Sequence, residues 1–127
     1  MMIRVASLLS AGLVALASGA AAAERSLTTA EITQLLSGNT VIGSSDKGEW
    51  RQYFDPAGDT TYARGSDAPS RGAWQVKDGK YCSQWPPQSV WVCYAVTGDL
   101  DAHPATLTWI GDSGTRYPGR VQPGNGL

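Results

Sequence analysis

The two cysteines, Cys82 and Cys93, are the strongest constraint on what this chain can become. They sit in two strand-like segments, residues 80–85 and 90–95, separated by Pro86-Pro87-Gln88-Ser89, which reads as a four-residue hairpin loop. With Trp85 opposite Val90, Gln84 faces Trp91, Ser83 faces Val92, and Cys82 faces Cys93 without any slip. If Trp85 and Val90 close the loop as a hydrogen-bonded pair, alternation makes the cysteines a non-hydrogen-bonded pair, where opposing side chains come closest. A disulfide across so short a loop contributes roughly 2.5–3 kcal/mol on the chain-entropy account. The pair lacks the C-x-x-C spacing of reactive cysteines, so it reads as a staple rather than a redox centre.

A second turn extends the reading. Asp78-Gly79 has the chemistry of a two-residue type I′ hairpin, which pairs Lys77 with Lys80 and Val76 with Tyr81. Carried through both hairpins, Gly72, Trp74, Val76, Tyr81, Ser83, Trp85, Val90, Val92, Tyr94 and Val96 share one face. That face is apolar and is expected inside. Ala73, Gln75, Cys82, Gln84, Trp91, Cys93 and Ala95 share the other face, which puts the disulfide and Trp91 on the outside of the sheet.

Strand-like runs recur about every ten residues, at 40–44, 49–54, 60–64, 72–77, 80–85, 90–97, 106–110 and 115–121, with turn residues between them and no room for crossovers. Ahead of them, Thr28 and Glu31 form a capping box, Leu27 and Ile32 a hydrophobic staple, and Gly38 a left-handed stop. Ile32, Leu35 and Leu36 fall on one face of that short helix. The expectation is an all-β fold: a small eight-stranded antiparallel meander barrel or half-open roll with one short N-terminal helix serving as lid or plug. All eleven aromatic residues lie between Trp50 and Tyr117. With strands this short, a packed interior is favoured over a roomy cavity.

Residues 1–23 carry the three parts of a secretory signal: a basic start at Arg4, an apolar middle, and small residues before Glu24. An uncleaved anchor is the competing reading, but the stretch is rich in Ala, Gly and Ser. Cleavage leaves residues 24–127 as a single small β-barrel domain in the periplasm or the medium, where a disulfide is the default. Without Arg4 the ten Lys and Arg become nine, against eleven Asp and Glu, a formal charge near −2. Such a balance excludes an electrostatic nucleic-acid binder, and no stable membrane insertion is expected after cleavage.

The segments Leu36-Ser37-Gly38-Asn39-Thr40-Val41, Trp50-Arg51-Gln52-Tyr53-Phe54-Asp55-Pro56-Ala57-Gly58, Gly72-Ala73-Trp74-Gln75-Val76, Tyr81-Cys82-Ser83-Gln84-Trp85 and Cys93-Tyr94 together resemble small exported proteobacterial proteins of the DUF995-like kind. The likeness spans roughly residues 27–121. That group has no assigned activity, so the resemblance implies a fold and no catalytic residues.

Three patterns invite a chemical reading, and each has a plainer one. Asp99, Asp101 and His103 alternate as metal ligands would, but Gly98 and Pro104 bracket a turn-rich loop and no fourth ligand is indicated, so no metal or cofactor is expected. Gly111-Asp112-Ser113-Gly114 echoes the nucleophile segment of trypsin-like proteases, yet the chain is half their length and the segment has hairpin-turn composition. Glu49, Asp55, Asp59 and Asp67 supply carboxylates for glycoside hydrolysis, but most occupy turns where Asp serves the backbone. The chain therefore reads as a binder, not an enzyme. The candidate binding surface is Trp85, Pro86, Pro87 and Trp91 at the hairpin tip, fitted to an envelope or extracellular protein, with inhibitors as the closest fold analogy. The alternative is a small apolar or aromatic ligand held among Trp74, Tyr81 and Tyr94, and a weak carboxylate hydrolase is the third.

Overall fold

Turns built on glycine and aspartate cut the chain into short strands, each antiparallel to the one before it. The structure, a computed structural model, describes Gly12 and residues 24–127; the expected export signal at 1–23 lies, apart from Gly12, outside the described residues. A two-residue strand β1 (Arg25–Ser26) and helix α1 (Thr29–Leu36) precede β2 (Asn39–Ser45), β3 (Gly48–Phe54), β4 (Asp59–Arg64), β5 (Ser70–Lys77), β6 (Lys80–Gln84), β7 (Val92–Asp99), β8 (Thr106–Ile110) and β9 (Arg116–Pro123). From β2 to β9 every strand pairs with its sequence neighbours, and β9 returns to β2 through Val41↔Val121. The result is a closed eight-stranded meander barrel. Closure leaves none of these eight strands as a free edge, which settles the choice between barrel and half-open roll. The strand not foreseen is β1, which pairs with β7 at Arg25↔Gly98 and Ser26↔Thr97, beyond the point where β6 stops at Lys80↔Ala95.

Both hairpin registers hold where the turn chemistry dictates them. Asp78 (φ 52°) and Gly79 (φ 73°) adopt the left-handed conformations of a type I′ turn, and Val76 pairs with Tyr81. Cys82 pairs with Cys93 at a Cα separation of 4.0 Å, and the two form the disulfide.

The loop that follows differs from the expectation. Pairing stops at Ser83↔Val92, so the connection runs over residues 85–91 and Trp85 does not close it against Val90. Val90 and Val92, expected inside, are 68% and 49% exposed. The cause is local. Trp85 leaves the ladder and folds against Gly72, where a Cβ would meet the indole Cε3 at 2.7 Å and the Gln84 carbonyl oxygen at 2.5 Å. The Trp85 Nε1 donates to Ser83 Oγ at 3.2 Å, which fixes the ring there. Val90 is left with no partner strand, and Val92 lies at the end of the barrel that α1 does not cover.

That helix closes the opposite end. Thr28 Oγ1 accepts from Glu31 N at 3.2 Å, and Glu31 Oε1 accepts from Thr28 N at 3.0 Å, completing the capping box. The Arg25 guanidinium pairs with the Glu31 carboxylate; with help from the Thr28 backbone it holds that carboxyl down to about 2. Gly38 (φ 77°) ends the helix and donates its N–H to Phe54 O at 2.7 Å. Ile32 and Leu36 are buried with Leu27, Phe54, Trp74, Val96, Leu107 and Val121 in one apolar cluster. The Thr29 hydroxyl accepts from Gly79 N at 2.7 Å, tying the helix to the β5–β6 turn. Among the described residues no helix is long and apolar enough to cross a membrane.

Candidate ligand site at the open end of the barrel

Alternation brings a set of large side chains to the inner face at the end away from α1. Register pairs Gln52 with Tyr62 and Trp50 with Arg64 across β3–β4, Tyr81 with Tyr94 across β6–β7, and Trp109 with Tyr117 across β8–β9. Together with Ser83 and Trp85 they line an open-mouthed cavity of about 700 Å³, rimmed by Ser45, Asp46, Lys47, Ser70, Arg71 and Pro86. A volume of this size is in the range of small-molecule sites, roughly 300–1,000 Å³. The preference for a filled interior thus holds only at the helix end, because α1 supplies apolar side chains to that end alone.

The cavity wall is a continuous aromatic belt. Trp50 stacks with Tyr62 and with Trp109, each at 6.0 Å and 29°. Trp109 lies 5.0 Å from Tyr81, which stacks with Tyr94 at 6.1 Å, and Tyr117 stands edge-on to Tyr94 at the same distance. Trp85 ends the belt, edge-on to Tyr62 at 6.4 Å.

Beneath the belt is a small polar floor. Gln52 Nε2 donates to Tyr81 Oη at 2.9 Å and to Thr60 Oγ1 at 3.0 Å, and the Thr60 hydroxyl donates to Tyr53 O at 2.8 Å. Burial pushes the Tyr81 phenol up to about 12, against the opposing pull of its bonds with Ser83 and Gln52, so it remains protonated at neutral pH. Burial, with Tyr117 adding to it, also raises Tyr94. Trp109 Nε1 is buried without a hydrogen-bond partner among the described residues.

Of the sequence-derived interior candidates, Tyr81 and Tyr94 line this cavity. Trp74 does not: it lies at the plugged end, its Nε1 donating to Asp55 O at 2.9 Å and its ring edge-on to Phe54 at 5.5 Å. The four residues of the hairpin-tip surface divide. Trp85 and Pro86 turn toward the cavity, while Pro87 and Trp91, the latter 38% exposed, stay on the outer surface. Trp50, Tyr62, Arg64, Trp109 and Tyr117 were not foreseen. Alternation within 50–54 and 60–64 carried the signal, but the five-residue turn between those runs does not by itself fix their register.

Compared with known proteins, the chain matches no family model, no curated protein and no solved structure. Its chemistry is therefore read from the geometry.

The remaining patterns are taken up by turns and local ion pairs. Asp99 Oδ1 accepts from Asp101 N at 3.0 Å and Ala102 N at 3.2 Å, and no group of three His, Cys, Asp or Glu side chains converges among the described residues. Ser113 Oγ bonds Thr115 Oγ1 at 2.9 Å within a turn closed by Gly111 and Thr115. Asp55 Oδ1 accepts from Ala57 N at 2.8 Å, Asp67 pairs with Arg64, and Glu49 pairs with Arg51.

Proposed function

We propose that this protein binds a small aromatic or apolar molecule in the open end of its barrel, without transforming it. The carrying observation is the aromatic-walled cavity of about 700 Å³, open at one end and sealed at the other by α1. Rigid rings lose little entropy on binding and present flat faces to a planar guest. The resemblance to DUF995-like proteins implies a fold and no ligand. The Cys82–Cys93 bridge supports an oxidising location, which for a chain with an export signal is the periplasm or the medium.

Titrating the purified protein with the neutral fluorophore N-phenyl-1-naphthylamine tests this reading. Saturable binding is expected, weakened at least about tenfold by Ser70→Trp, which plants a bulky ring at the cavity rim. Binding that is unsaturable, or indifferent to Ser70→Trp, would refute it.

A second reading, docking of an envelope or extracellular protein, is favoured by the run Val90-Trp91-Val92, which exposes three apolar side chains beside Pro86 and Pro87. A partner retained by the wild type and lost with Trp91→Ala, at unchanged probe affinity, would support it. Failure to retain any partner from an envelope extract would remove it.

A further inference from the structure

The ligand site is not electrically neutral. Lys47, Arg64 and Arg71 line it against the single acid Asp46, although the whole chain carries a formal charge of −1. Among the described residues Lys47 and Arg71 make no ion pair. Arg64 is the telling member. It pairs in register with Trp50 on β3 and shares the inner face of β4 with Tyr62, so its stem stands inside the barrel mouth rather than on the outer surface. Among the described residues its carboxylate contact is with Asp67 at 3.4 Å, three residues further on and largely exposed. Such a pair is weak. A guanidinium held beside an aromatic wall is costly to desolvate unless an anion meets it, and its planar fork suits a carboxylate, sulfonate or phosphate.

We infer that the ligand is an anionic aromatic molecule, its ring system against Trp50, Tyr62 and Trp109 and its acidic group at Arg64, with Lys47 and Arg71 steering it to the mouth. This rests on the cavity reading above and is tested so that the two can fail separately.

Two probes share one ring system and differ by a sulfonate: 1-anilinonaphthalene-8-sulfonate and neutral N-phenyl-1-naphthylamine. Against the purified wild-type protein at low salt, the sulfonate is expected to bind about tenfold more tightly, and added salt should erode that advantage. Arg64→Gln should bring the ratio of the two affinities to about one, whatever it does to the neutral probe alone. Arg64→Met, which keeps the packing of the stem, replaces it if the first variant misfolds, and the neutral probe reports an intact cavity in either. Equal affinity of the two probes for the wild type would overturn the anion inference and leave the cavity reading standing. Binding of neither would overturn both. A sulfonate preference that survives loss of Arg64 would overturn the assignment to that residue.

Discussion

Trp50 lies over Gly43 so closely that a Cβ on the glycine would sit 2.2 Å from the indole Cζ2, with Pro118 O at 2.9 Å on its other side. The missing side chain on β2 is what allows the centre of the aromatic belt to lie flat. Gly43→Ala must displace either the ring or the backbone of β9. The expected cost is about 1–3 kcal/mol in urea unfolding, as for an overpacked core. Probe affinity should fall with it, since Trp50 stacks on both Tyr62 and Trp109. A variant of wild-type stability would show that the contact is not close in solution.

The bridge between Cys82 and Cys93 closes a short loop, with a sequence separation of 11. Replacing both with serine should lower unfolding free energy by roughly 2.5–3 kcal/mol on the chain-entropy account. The β6–β7 register should survive, because the Tyr81–Tyr94 stack and the closed ladder, with β5–β6 and β7–β8 on either side, hold it without the bridge. Amide exchange across residues 80–84 and 92–95 checks this, and a shifted pattern of protection would contradict it.

Tyr81 links stability to alkaline pH. Its folded pKa of about 12 stands above the ordinary 10, so the unfolded chain gives up this proton first. The stabilisation is complete below pH 10 and is lost as pH rises through 10 to 12. Two units correspond to about 2–3 kcal/mol over that window. Denaturant midpoints should fall more steeply above pH 10 for the wild type than for Tyr81→Phe. Parallel curves would contradict the assignment.

At the acid end the relevant group is Glu31, whose carboxyl is held at about 2 by Arg25 and the Thr28 backbone. Because the folded pKa is depressed, its contribution is present above the ordinary 4.5 and disappears as pH falls toward 2. Glu31→Gln should therefore flatten the decline of the thermal midpoint between pH 5 and about 2. At neutral pH, Thr28→Ala removes the other half of the box and should cost about 1 kcal/mol. If neither change is seen, the capping box is not holding α1 in place.

What the sequence determined by itself is local and periodic. Two left-handed turn residues dictated the β5–β6 register, the Cys82–Cys93 spacing dictated the next, and the Thr28–Glu31 box marked the start of the helix. These features depend on residues a few positions apart, whose chemistry has few solutions. Closure of β9 onto β2, the extra strand at Arg25–Ser26, and the burial of Trp74 at one end with Trp50 and Trp109 at the other were decided only by tertiary structure. Alternation says which side chains face inward, but it says nothing about height along the barrel axis. Height settled the outcome: the helix fills one end, so Val92 and Tyr117, facing inward at the other end, meet solvent and a cavity instead of a core. Trp85 adds a smaller correction: across the β5–β6 hairpin the bare backbone of Gly72 offered it a place to pack, and it left the β6–β7 ladder that the short loop had implied for it.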